Sequence, residues 1–140
     1  MLDTFIIKLK KILPYTIFNF FRRILTAILT PVLFSFNSGH FLSSIQSKAV
    51  DKKNKPIPWY TYSCIDFLYT LNFKDKKILE FGSGQSSIWW SNLSNEVHSL
   101  EDKDHYLNKI LKLEIKNLKV FKCDTYLKEF EKLELNNNNY

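Results

Sequence analysis

The residues with the most chemical pattern run from Lys77 to Ser87: Lys-Ile-Leu-Glu-Phe-Gly-Ser-Gly-Gln-Ser-Ser. An apolar strand leads into Gly82 and Gly84, and a Ser-Ser pair opens the helix expected to follow. Such a glycine-bearing strand-to-helix turn lets backbone amides approach a nucleotide closely. Two of the chain's three glycines are concentrated here. Carboxylates stand at Glu80, just before the turn, at Glu101, ending a second apolar run, and at Asp124, after a third.

Those carboxylates discriminate between nucleotide ligands. The pyrophosphate of a dinucleotide is anionic, and Glu80 beside the turn would repel it. S-adenosylmethionine (SAM) instead presents a cationic ammonium and sulfonium, which a carboxylate can hold. The third glycine of the dinucleotide fingerprint is absent, with Ser87 in its place. Glu101 stands where an acidic residue can accept both ribose hydroxyls, a feature common to NAD and SAM sites. His40, His98, His105, Cys64 and Cys123 are scattered, without ligand spacing or a disulfide framework. No metal centre is expected, and the thiols read as free in a reducing compartment.

The elements that must position these groups follow from periodicity. Strands are expected at 78–81, 97–100 and 118–122, and helices at 86–93, 103–113 and 125–133, the second capped by Asp102. This alternation predicts βαβ units and a parallel sheet with 78–81 at one edge. Upstream, Ser63 followed by Asp66 forms a capping-box pattern opening a short helix. Trp59, Tyr60 and Tyr62 before it suit either an entrance or packing, and Trp89 and Trp90 read as buried.

Residues 5–36 carry Ile6, Leu9, Leu13, Ile17, Phe20, Ile24 and Ile28 on one helical face, with Pro14 and Pro31 expected to kink or end the pieces. The chain has a net charge of +6. Much of the excess sits in this arm, as Lys8, Lys10, Lys11, Arg22 and Arg23 against Asp3. Basic charge interleaved with apolar side chains suits an anionic membrane surface and argues against nucleic acid. Arg22 and Arg23 interrupt the run of about 20 apolar residues that a transmembrane span needs. The expected organisation is a basic amphipathic helical arm at 1–36, a connector at 37–58, and a nucleotide-binding unit at 59–140. The arm's competing role is to dock on the body of the protein.

With those residues in place, a resemblance is recognisable. ILEFGSGQSS is similar to motif I of class I SAM-dependent methyltransferases, and VHSLE to their motif II. KCD, ending at Asp124, resembles the family's acidic position at the adenine. The stretch GHFLSSIQSKAVDKKNKPIPWYTYSCIDFL resembles the leader of a bacterial methyltransferase-like group of uncharacterised substrate. The resemblance spans residues 39–124. It implies a Rossmann-like parallel sheet and SAM as cofactor. Gly82 and Gly84 would lie against the methionine part, and Glu80 on the ammonium directly or through water. Glu101 would hold the ribose and Asp124 the adenine.

The family's sheet has about seven strands, and this sequence holds three of them, so a fragment or a truncated remnant is expected. No catalytic base is identified, and the resemblance leaves the methyl acceptor open. The expected location is cytoplasmic, with peripheral attachment at the inner membrane face. A noncatalytic membrane-associated module derived from this fold is the first alternative. An NAD(P)-dependent oxidoreductase, disfavoured by Glu80, is the second.

Overall fold

The computed structural model describes residues 14–123. Asp124, the expected helix at 125–133 and the arm before Pro14 lie outside the described residues. The described chain is mixed α/β: a three-stranded parallel sheet with five helices. In chain order these are α1 (Tyr15–Ser38), α2 (His40–Gln46), α3 (Tyr62–Tyr69), β1 (Lys77–Phe81), α4 (Gln85–Ser91), β2 (Glu96–Glu101), α5 (Asp104–Leu111) and β3 (Leu118–Lys122).

The sheet order is β1-β2-β3, both pairings parallel, with β1 at one edge as the alternation predicted. Ile78 pairs with Val97, and Val97 with Leu118, so these three share one face. That face meets Trp89 and Trp90 of α4, Ile65 of α3, and Ala49 and Ile57, in one apolar cluster. The two tryptophans are buried, as expected, at 3% and 8% exposure. Trp89 donates its indole N–H to the Tyr69 hydroxyl at 2.6 Å, which ties α4 to α3. Edge contacts of Trp90 with Phe73 and Trp89 complete the packing.

Three local features differ from the sequence expectation. Helix α3 is capped by the extended Thr61, whose hydroxyl accepts from the Cys64 N–H at 3.3 Å, two residues before the Ser63–Asp66 pattern could act. Helix α5 starts without a side-chain cap, because Asp102 lies outside the capping position, which Lys103 holds. Helix α1 passes through Pro31 unbroken. A proline forfeits one hydrogen bond to the carbonyl four residues earlier. Here that carbonyl belongs to Ala27, which is exposed, so water can meet it.

The segment read as a connector is packed. Ser43 of α2 both donates to and accepts from the Val50 backbone, at 2.8 and 3.0 Å. Ala49, Val50, Ile57 and Pro58 are buried. Gly39 joins α1 to α2 with a φ of 89°, and a Cβ there would stand 2.3 Å from the Asp51 backbone. Glycine is required at that junction on both counts.

Candidate functional site

The site is built where β1 and β2 end side by side. Gly82 turns the chain with a φ of 87°, a left-handed conformation open to glycine. Its N–H donates to the Leu100 carbonyl at 2.7 Å, and its carbonyl accepts from the Ser99 hydroxyl at 2.9 Å. The turn is thereby stapled to β2. Gly84 follows with an extended backbone that any residue adopts. A Cβ on either glycine would meet no atom within 4 Å. Open space therefore stands over both.

That space belongs to a cleft of about 570 Å³, lined by the Gly82–Gly84 turn, Glu101, Lys48, Trp59 and Tyr106 among others. The volume lies in the range of small-molecule sites. Trp59 stands 80% exposed on its wall, which favours the entrance reading for this residue.

Glu101 is 3% exposed and held from several sides. Its Oε2 accepts from the Ser83 N–H at 2.7 Å and the Ser83 hydroxyl at 2.9 Å. Its Oε1 accepts from the Lys103 N–H at 2.9 Å. Burial raises the carboxyl pKa, but these donors, with a hydrogen bond from the Asp102 side chain, outweigh burial and hold it below the usual carboxylate range. Lys122 braces the same loop, donating to the Asp102 carbonyl and to Asp104 Oδ1, each at 2.7 Å.

Glu80 is placed differently. It is half-buried behind the turn and does not line the cleft. Its Oε2 accepts from the fully buried Ser87 hydroxyl, whose oxygen accepts from the Gly84 N–H at 3.0 Å. This is half of a capping box, the third helical residue reaching back to the cap, with glycine unable to reciprocate. Burial pushes the Glu80 carboxyl above its ordinary value, against hydrogen bonds from Ser86, Ser87 and Ser99, and repulsion from Glu101 adds to the rise.

Of the residues singled out in the sequence, Gly82, Gly84 and Glu101 meet at one cleft, Glu80 stands behind it, and Asp124 lies outside the described residues. Sequence reasoning missed Ser83, Lys103 and Lys122. A hydroxyl residue between two glycines was the available signal for Ser83. The donation from Lys103 comes from its backbone, which side-chain chemistry does not reveal. No protein-family model, no curated protein and no solved structure matches this chain.

Proposed function

We propose that this chain is the cofactor-binding part of a SAM-dependent methyltransferase, with its sheet part of a Rossmann-like fold. The observation that carries the reading is the shared cleft, in which a glycine turn with open space above it faces a clamped, ionised Glu101. Gly84 needs no special backbone angle, so an occupant close to its Cα gives its lack of a side chain a purpose. SAM, when bound, supplies a methyl group on a positively charged sulfur. Gly82 and Gly84 give its methionine part room, and Glu101 accepts from the ribose. Glu80 acts from behind the turn, its charge reaching the ammonium through water. The adenine role of Asp124 rests on the sequence resemblance alone.

A dinucleotide is less well supported. The third glycine of its fingerprint permits close helix–strand packing, and here Ser87 fills that position with a hydroxyl bonded on both sides. Calorimetric titration of the full chain with SAM and with NAD tests the proposal. SAM binds, and Glu101→Ala weakens it by about 1–3 kcal/mol, the usual loss for a charged hydrogen-bond partner. Binding of NAD without SAM overturns the reading.

A second property is favoured by α1, a 24-residue helix with no buried residue and a predominantly apolar 18-residue window. At 1.5 Å per residue it is roughly 36 Å long, enough for a hydrocarbon core of about 30 Å. Length therefore permits crossing, and Arg22 and Arg23, inside the helix, argue for the surface. In this reading the arm holds the protein on an anionic membrane at the cytoplasmic face. If the cleft binds no cofactor, the arm and the folded body still form a noncatalytic membrane-associated module.

A further inference from the structure

We infer that the Ser83 hydroxyl occupies, in the free protein, the hydrogen-bonding position on Glu101 that the second hydroxyl of a vicinal diol would take. The inference rests on the nucleoside-cofactor reading of the cleft and sharpens it. A carboxylate offers about four lone-pair sites. On Glu101 three are filled: two on Oε2 by the Ser83 N–H and hydroxyl, and one on Oε1 by the Lys103 N–H. These donors leave one site on Oε1, and the Asp102 side chain lies within hydrogen-bonding reach of the same carboxyl group. The sequence suggested an acid that accepts both ribose hydroxyls; the geometry leaves room for one.

The three donors are not equivalent. Two are backbone amides, fixed by the turn and by the loop that enters α5. The third turns on a single side-chain torsion, and Ser83 lies in the cleft lining. A ligand that brings two adjacent hydroxyls must rotate that hydroxyl away, exchanging one charge-assisted hydrogen bond for another. Ser83 is then a specificity determinant that sets how strongly the cleft prefers ribose to deoxyribose. If Ser83 only positioned Glu101, removing its hydroxyl would loosen the carboxylate and weaken every nucleoside ligand. The two roles predict opposite signs.

The test titrates the full chain with SAM, adenosine, 2′-deoxyadenosine and 3′-deoxyadenosine, read by calorimetry and by the fluorescence of Trp59. Trp59 is exposed at the cleft, whereas Trp89 and Trp90 are buried. Wild type loses affinity for at most one of the two deoxy analogues. Ser83→Ala binds adenosine about 3- to 10-fold tighter than wild type, on the scale of one hydrogen bond no longer exchanged, and loses affinity for both analogues. Ser83→Thr keeps a hydroxyl and behaves as wild type. Adenosine binding that is unchanged or weaker in Ser83→Ala, while SAM still binds, overturns this inference and leaves the cofactor reading standing. Failure of both proteins to bind SAM or adenosine overturns the two together.

Discussion

Ser87 donates its hydroxyl proton to Glu80 from a position with no solvent exposure, and its oxygen accepts the Gly84 N–H at 3.0 Å. One hydroxyl thus links β1, the glycine turn and the first turn of α4. Ser87→Ala leaves the part-buried Gly84 amide without that acceptor and the half-buried Glu80 without that donor. The expected loss is about 1 kcal/mol of unfolding free energy, the scale of a hydrogen bond lost between partly buried groups. Urea titration measures it. An unchanged midpoint would show that water replaces both bonds without cost.

The two glycines of the turn separate folding from binding. At Gly82 the φ of 87° makes any side chain strained, even with open space around it. Gly82→Ala is expected to cost about 1–2 kcal/mol, the left-handed penalty of an L-residue, and to lower the melting temperature. At Gly84 the backbone is extended and a Cβ meets nothing. Gly84→Ala is expected to melt with wild type and to lose SAM binding, since its methyl enters the ligand's space. Undiminished SAM binding by Gly84→Ala would remove this glycine from the cradle.

Two carboxylates give stability opposite dependences on pH. Glu96 is held at about 2 by hydrogen bonds from Lys119 and then His98, with their charges adding, and Lys77 lies 3.7 Å away. Its folded pKa is depressed below 4.5. Its contribution is present above 4.5 and lost as pH falls towards 2, because the unfolded chain takes up the proton first. Glu80 has a raised folded pKa, chiefly from burial. Its contribution is full below 4.5 and lost as pH rises through the folded value. Denaturant midpoints across pH 2–7 should therefore show a shallower acid slope for Glu96→Gln. For Glu80→Gln, which stays neutral, the decline above pH 4.5 should flatten. Slopes identical to wild type would show that neither group governs its limb.

The sheet was legible because each strand is a short apolar run between turn residues, whereas the register that aligns Ile78, Val97 and Leu118 came only with the structure. The pairing of the glycine turn with Glu101 was legible too, since parallel strands with a short crossover end on the same side. Glu80 stands behind the turn for a physical reason. Sequence puts it two residues before Gly82, but the pleat turns it with Ile78, towards the helix side of the sheet and Ser87. The packed stretch from Ser43 to Pro58 was hidden because its order rests on non-local contacts. Ser43 bonds the Val50 backbone, and Ala49 and Ile57 join a cluster centred on residues 30 and more positions later. Its charged and turn-forming composition, Asp51 to Pro58, is visible in sequence; those contacts are not.

The arm gives the last prediction. Its apolar side chains are exposed along α1, from Ile17 and Phe20 to Leu33 and Phe36, and Arg22 and Arg23 interrupt them. A surface helix gains from apolar burial and by about 1 kcal/mol for each basic residue near anionic lipid. That second contribution is screened by salt. The full chain is expected to co-sediment with vesicles containing anionic lipid and to leave them as salt rises. A version beginning at Ser38, which keeps the Gly39 junction, is expected to remain in solution. An alkaline carbonate wash then separates surface from span, because it releases a helix lying in the interface and retains one that crosses. Retention after the wash, with little effect of salt, would mean that a 24-residue helix carries Arg22 and Arg23 across the bilayer. Negligible sedimentation of both versions would assign the arm to docking on protein.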